Sequence, residues 1–397
     1  MDKKKVLWCS DLMCRSGFGN VAKHLTKALT PTFDVVGLGI NYTGAVKVSD
    51  DWAHFSHITP AQQIPADVYG IQTIVPMVKY HKPDVIVMFN DYFVIFEWQK
   101  QLKAAGLEHI PTVVYFPVDS HSIPEAYKRV AGTKTYSYSH FANSITGRED
   151  EVVYHGVNTK VFKPIKREDF KLFNKEDEKV FSVLAASQFQ VRKGWHILLR
   201  GFLEFNKKYP NSKLMLHTPL ESKSMGQTGP SGSFLQLLDT CGVTQQQMDD
   251  RAIVLTGVHQ QLTDEQMAEL YNIGDVFITT NLGEGFGLTT MEAYACGTPV
   301  IVPDNTIHRE LFGNKARYMP CTTESIFSQD NCNLRLGTTK EEVALALEEE
   351  YKLWLESEGK VQDSTKHDFV RRNFSWTKPQ HQMFEGVYNC IPKTNPS

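Results

Sequence analysis

The sequence has no cysteine framework. Its seven cysteines, Cys9, Cys14, Cys241, Cys296, Cys321, Cys332 and Cys390, are scattered without a C-x-x-C pair. An odd, irregularly spaced set reads as free thiols in a reducing compartment. Cys9 and Cys14 are the closest pair, and no second Cys or His cluster accompanies them, so they make no zinc site. A run of about 18 apolar residues is also missing, which excludes a spanning helix. The opening MDKKKVLWCSDL is basic but lacks a signal peptide's apolar middle and cleavage site. The expectation is a cytoplasmic protein. Charge of one sign is not in excess either: the formal net charge is -3, which makes no global case for binding nucleic acid. Divided near residue 168, the chain carries about +3 before and about -6 after, a mild asymmetry that solvated faces produce routinely. No repeat of solenoid period is evident.

What the sequence does have is length and alternation. Its 397 residues, 41% hydrophobic and 22% charged, exceed one typical core, so two domains are expected. KVLWCSDL, MCRSGFGN and VAKHLTKAL read as a buried strand, a glycine-bearing loop and a helix with Val21, Leu25, Ala28 and Leu29 at helical spacing. DVVGLGI, DVIVMFN and TVVYFPVD follow as short apolar strands between helical patterns. Such near-continuous apolar strands, alternating with helices, argue for a parallel sheet covered on both faces. The charge-dense KPIKREDFKLFNKEDEK, 163–179, reads as an interdomain linker, after which the alternation restarts at VFSVLAAS and runs to PVIVPD.

The expected architecture is α/β, with two Rossmann-like doubly wound domains facing each other across a cleft, 1–168 and 178–374. FSWTKPQHQMFEGVYNCI predicts a last helix over 375–391, capped by Ser375 or Thr377, with Pro379 in its first turn. ESKSMGQTGPSGS, 221–233, reads as a mobile loop, and the tail PKTNPS has no reason to be ordered. Tyr92, Phe93, Trp98, Tyr115 and Phe116 are expected in the core, and EEEYKLWLESEGK as a solvated amphipathic helix.

The most informative stretch is EGFGLTTMEAYACGTPVI, 284–301. It follows the strand DVFITT and contains a helix that starts near Thr289 and Thr290 and closes at Gly297 in a left-handed cap. Gly285 and Gly287 thus sit in a strand-to-helix turn, where backbone N–H groups can approach an anion such as a diphosphate. A carboxylate beside phosphate is unfavourable, so Glu292, one turn into the helix, suits a ribose diol, and Glu284 the hydroxyls of a sugar beyond the diphosphate. The plainer alternative makes both glutamates charges that complement the helix dipole.

The pattern E-G-F-G-L-x-x-x-E-A-x-A-x-G-x-P-V-I is similar to the donor-site motif of the family-4 retaining glycosyltransferases, which have the GT-B fold. Glu284, Gly285, Phe286, Gly287, Leu288 and Glu292 match it position for position. The resemblance implies that Glu292 holds the ribose, while Glu284 and the backbone amides after it, through Thr289, contact the transferred sugar. HGVNTKVFKP resembles the family's segment before the linker, with Asn158 where aspartate is usual. QFQVRKGWHILLRGF resembles its phosphate-binding turn and helix, and SGFGNVAKHLTKAL the glycine loop, with Gly17 and Gly19, that faces the diphosphate. The family's last helix crosses back to the first domain.

Two positions depart from the pattern. Gln188 stands where the family commonly has an arginine, and Arg192 beside Lys193 takes over part of that charge. Pro117 stands where a histidine often ends the strand, leaving Asp119 and then His121 as the nearest polar candidates.

The implied activity is retaining transfer of a sugar from a nucleotide-sugar donor to a hydroxyl acceptor, a saccharide or glycan. Arg192, Lys193, Glu284 and Asp119 are the catalytic candidates, and no cofactor is implied. The sequence has no D-x-D pair, which disfavours a metal-bridged diphosphate. The alternatives are transfer to a modified base in DNA, a phosphorylase or hydrolase-epimerase of related architecture, or a GT-B scaffold that binds a nucleotide or glycan without turnover. Peripheral membrane contact through a basic helix of the first domain stays open.

Overall fold

The computed structural model describes residues 3–14, 16–44, 50–63, 67–171, 180–221, 232–256, 262–359 and 363–391. Its contacts divide the chain into two units. One comprises Met1–Val118, Ile123–Gly156 and Trp376–Ser397, and the other Asp119–Ser122 and Val157–Ser375.

The first unit is built on seven strands: β1 (Lys5–Asp11), β2 (Asp34–Ile40), β3 (His57–Pro60), β4 (Val85–Phe89), β5 (Thr112–Phe116), β6 (Lys134–Ser137) and β7 (Glu151–Val152). They lie in the order β3-β2-β1-β4-β5-β6-β7, and every pairing is parallel. Val6, Leu7, Trp8 and Cys9 of β1 and all five residues of β4 are fully buried, as a sheet with both faces covered requires. Tyr92, Trp98, Tyr115 and Phe116 join this core, while Phe93 is half-buried.

The last helix, Thr377–Cys390, packs on the helix Gly17–Lys27 and on β4 and β5. Gly386 allows the approach, since a Cβ there would meet the Tyr136 hydroxyl at 2.3 Å. That hydroxyl donates to the Gln382 carbonyl at 2.5 Å, and Trp376 stacks on His24 with ring centres 4.3 Å apart. The expected cap is corrected. The N-cap is Trp376, which makes no side-chain capping bond, and Pro379 stands in the first turn, where its missing N–H costs nothing.

The second unit has six parallel strands: β8 (Phe181–Ala186), β9 (Ser212–His217), β10 (Ile253–Leu255), β11 (Val276–Ile278), β12 (Val300–Pro303) and β13 (Arg317–Met319). Their order, β10-β9-β8-β11-β12-β13, repeats that of the first unit strand for strand up to its sixth. A two-stranded antiparallel ribbon follows, β14 (Thr323–Ile326) and β15 (Leu334–Gly337). Leu198, Leu199, Phe202 and Phe205 of the helix Trp195–Lys208 fill the core beside β8 and β9. Each such side chain contributes roughly 1.5–3 kcal/mol by its burial. The helix Lys340–Glu356 closes over them with Val343, Ala346 and Leu347.

The charged stretch 163–179 is described only to residue 171, and 172–179 lie outside the described residues. Its described part belongs to the second unit. Asn272 accepts from the Ile165 N–H and donates to the Lys163 carbonyl, both at 2.9 Å, and Glu269 accepts from the Lys171 N–H at 3.1 Å. Of the loop 221–233, residues 222–231 lie outside the described residues, as does the tail 392–397. Each sheet changes winding direction between its first and fourth strands, β1/β4 and β8/β11. Open α/β sheets bind ligands beyond the strand ends at such switch points.

Candidate functional site

At the second unit's switch point, the loops after β8 and β11 are joined through their backbones. The turn Val191–Lys193 leads into Gly194, whose φ of 64° is the left-handed N-cap of the helix Trp195–Lys208. A Cβ on Gly194 would lie 2.2 Å from the Thr280 carbonyl oxygen, so only glycine fits. The Thr280 hydroxyl donates to the Gly194 carbonyl at 3.0 Å, and the Leu282 N–H to the Arg192 carbonyl at 2.7 Å.

This places the charged side chains together. The Lys193 ammonium pairs with Glu284 Oε1, and Arg192 Nη1 lies 3.7 Å from Glu284 Oε2 and 3.3 Å from Asp119 Oδ2. Burial alone would raise the Glu284 pKa, but Lys193 and then Arg192 overcome it and hold the carboxyl below its ordinary value. Burial and the neighbouring Arg192 lower Lys193 from its usual range, with Glu284 working against them. Three of the four expected catalytic residues therefore meet at one point, and the fourth, Asp119, reaches them through Arg192.

Asp119 lies with the second unit, not with the strand β5 that precedes it in sequence. The His121 N–H donates to the Leu334 carbonyl and the Leu334 N–H to Ser122 Oγ, both at 2.8 Å, so this segment runs along β15. Arg335 donates to the Asp119 carbonyl at 2.6 Å and to Asp119 Oδ1 at 3.0 Å. Arg335, and after it Arg192, hold the Asp119 carboxyl below its ordinary value against the effect of burial. Sequence reasoning missed Arg335. The available signal was a lone arginine in the otherwise apolar LRLG, because a charge in such a strand must find partners if it is buried. Gln188, the departure from the family pattern, is exposed, and its carbonyl accepts from Trp195 Nε1 at 3.1 Å. Arg192 is the guanidinium that enters the cluster.

The glycine turn forms as its sequence suggests. Gly287 has a φ of 80° and caps the helix Leu288–Ala295 without any side-chain bond, leaving the first-turn N–H groups of Leu288 and Thr289 uncapped. Gly297, at a φ of 86°, closes the helix. Gly285 is buried, and the Phe286 ring is buried 6.0 Å from that of Phe374. The Phe286 side chain is therefore core, and only its backbone is left for a ligand. The Glu284 N–H donates to the Thr306 hydroxyl at 3.1 Å. Thr306 itself has a φ of 43°, an unusual backbone for a β-branched residue.

Glu292 has a different environment. Its Oε2 accepts from the Tyr271 hydroxyl at 3.1 Å. Burial, and secondarily the charge of Asp264, push its pKa up to about 8. Tyr271 was not anticipated, because its helix, Asp264–Ile273, is separated from the motif by a strand.

The expected glycine loop, Gly17 and Gly19, lies in the first unit. Gly17 begins the helix Gly17–Lys27 and is exposed. Gly19 is buried in the same helix. Its N–H donates to the N-cap Ser16 hydroxyl at 2.9 Å, and a Cβ there would strike the Cys14 carbonyl oxygen at 2.4 Å. Its glycine identity is explained by packing. Among the described residues no group of three or more His, Cys, Asp or Glu side chains is arranged to hold a metal ion, and no helix is long and apolar enough to cross a membrane.

The sequence family described as glycosyl transferases group 1 matches residues 252–325, the segment that carries β10 through β13, the glycine turn and both glutamates. The fold is that of the GT-B glycosyltransferases. Two curated relatives are mannosylfructose-phosphate synthase of Agrobacterium fabrum, 28% identical over 33% of this chain and 26% of the relative, and D-inositol 3-phosphate glycosyltransferase of Mycolicibacterium smegmatis, 30% identical over 38% and 31%. The chain thus matches about a quarter to a third of the length of these relatives. The GT-B fold extends further. Sucrose-phosphate synthase from Thermosynechococcus elongatus superposes over 98% of both chains with a TM-score of 0.69 at 15% identity. The E. coli trehalose-6-phosphate structure bound with UDP-2-fluoro glucose superposes over 98% of this chain and 100% of that one, with a TM-score of 0.68 at 12% identity.

Proposed function

We propose that this GT-B chain transfers a sugar from a nucleotide-sugar donor to a hydroxyl of a saccharide acceptor, with retention and without a metal ion. The observation that carries the reading is the Arg192–Lys193–Glu284 cluster at the β8/β11 switch point, next in sequence to an uncapped helix N-terminus. As the sugar C1–O bond to the diphosphate breaks, negative charge grows on the leaving oxygen. The Lys193 ammonium, the Arg192 guanidinium and the Leu288 and Thr289 amides supply fixed positive charge for it. The new bond joins C1 to the acceptor oxygen, and the leaving phosphate takes that hydroxyl's proton. Glu284, held ionised, accepts from hydroxyls of the donor sugar, and Glu292 from the ribose diol. Support for a nucleotide-sugar comes from the UDP-2-fluoro glucose bound in the E. coli neighbour. The relatives' names, a phosphate synthase and an inositol 3-phosphate transferase, make small polyhydroxy compounds the first acceptors to try.

The test is calorimetric binding of UDP-, GDP-, ADP- and dTDP-sugars with chelator present, on the native chain and on Glu292→Ala. Binding of one nucleotide class, weakened at least tenfold in the variant, is expected. A folded native chain that binds none of them would overturn the reading.

A further inference from the structure

We infer that Arg335 is a positioning residue that, through Asp119, aims the Arg192 guanidinium into the phosphate end of the proposed donor site. The functional consequence rests on the reading above; the ordering of Arg192 does not. Arg335 is 1% exposed. A guanidinium so deeply buried is tolerated only when its donors are matched by carboxylates and carbonyls. Four bonds match them here: two to Asp119, and two to Asp330, through Nε to Oδ2 and through Nη2 to Oδ1 at 3.0 Å.

The local backbone is shaped for this arrangement. Asp330 is presented by the β14–β15 loop, in which the consecutive non-glycine residues Asn331 and Cys332 both have positive φ, 51° and 55°. On the other side, Gly283 has a φ of 149°, and a Cβ there would lie 1.9 Å from the Asp119 carbonyl oxygen and 3.1 Å from Arg335 Nη1. The Asp119 backbone therefore sits in the space that any other residue at 283 would fill. Strained or side-chain-free backbone at a polar cluster of this kind is more often kept for a site than for stability.

The result is a row of alternating charge: Asp330, Arg335, Asp119, Arg192, Glu284, Lys193. Asp119 is shared, with Oδ1 3.0 Å from Arg335 Nη2 and Oδ2 3.3 Å from Arg192 Nη1. Sharing has a specific effect. A free carboxylate frequently engages a guanidinium with both oxygens in a parallel fork and takes two of its five donors. Because Arg335 takes one oxygen, Asp119 contacts Arg192 Nη1 with the other alone; Nη1 also donates to the Gly283 carbonyl at 3.4 Å, and Nε and Nη2 stay available to a phosphate. Asp119 is then a fixed counter-ion, and its held-down pKa suits that role better than that of a proton acceptor.

The test combines two readouts on the full chain. UDP, GDP, ADP, dTDP and inorganic pyrophosphate are titrated by calorimetry into the native protein, Arg335→Met, Arg335→Lys, Asp330→Asn, Asp119→Asn and the Asp119→Asn/Arg335→Met double variant. In parallel, the Arg192 side-chain signal is followed by 15N NMR and assigned by its loss in Arg192→Lys. The expected result is about a tenfold weaker diphosphate in Arg335→Met, a smaller loss in Asp330→Asn, partial recovery in Arg335→Lys, and no further loss when Arg335→Met is added to Asp119→Asn. The Arg192 signal shifts and broadens in Arg335→Met. Losses that add independently in the double variant, or an unmoved Arg192 signal, would overturn the inference. If Arg335→Met fails to fold, Asp330→Asn carries the same comparison. If the native chain binds no diphosphate, the functional reading falls, and the Arg192 signal alone decides whether Arg335 positions it.

Discussion

The switch points of the two units share a topology and differ in chemistry. In the second unit, the loop after the first strand brings two cations, Arg192 and Lys193, onto the carboxylates Glu284 and Asp119. In the first unit, the corresponding strand ends in a carboxylate, Asp11, which is 5% exposed. Among the described residues its hydrogen-bond partners are neutral: the Ser16 hydroxyl at 2.5 Å, Asn41 Nδ2 at 3.0 Å and Asn90 Nδ2 at 3.4 Å. Burial raises the Asp11 pKa while these hydrogen bonds lower it, and the net shift is upward. The sheet order thus says where a ligand can bind, and the loops after the first and fourth strands say what its charge must be. Cations suit a diphosphate; an acid among amides and a hydroxyl suits neutral polar groups.

The largest effect is expected where the second unit's charges are broken. Lys193→Met leaves Glu284 only the longer Arg192 contact at 3.7 Å and costs about 3 kcal/mol of stability by denaturant titration, toward the low end for removing one partner of a buried ion pair. Adding Glu284→Gln restores most of that stability but not nucleotide binding, whereas restored binding would remove Lys193 from the site. Next comes the contrast between the two glutamates. Glu292, pushed up to about 8, keeps a proton in the folded, nucleotide-free chain that an unfolded glutamate loses near 4.5. The folded state therefore binds more protons in that window, and stability falls as pH rises from about 4.5 to about 8. Glu284, held below its ordinary value, acts oppositely: its contribution is present above the unfolded pKa and is lost as pH falls through the folded one. Unfolding measured from pH 4 to 9 should show Glu292→Gln flattening the alkaline decline while leaving the acid limb in place. A native-like decline in that variant would assign the slope elsewhere. The smallest effect belongs to the first unit. Ser16→Ala removes the cap of the helix Gly17–Lys27 and costs about 1 kcal/mol by thermal unfolding. A loss several times larger would show that the Asp11 cluster, and not the cap alone, depends on that hydroxyl.

Much of this was legible in the residues. Apolar runs such as VIVMF and FSVLAA mark strands buried on both faces, because their period leaves no polar side. Gly297 announces a left-handed helix end, and it has that backbone. Other features were not legible, and each for a reason. The β14–β15 ribbon is short and has no Asn-Gly turn, so neither strand stands out as TESI or LRLG. Phe286 shows in the sequence only as part of the glycine turn, and the packing of its ring beside Phe374 appears only in the fold.

By itself the sequence determined the two alternating α/β units, the glycine turn and the charged residues that flank it, because strand period, turn backbone and helix start depend on neighbours a few positions away. Tertiary structure alone decided which charge each of those residues meets. Asp119 and Arg335 are 216 positions apart, and Arg192 and Gly283 are 91 apart. No local pattern records such pairings: a carboxylate accepts any guanidinium that the packing brings within reach, and only the folded chain selects one.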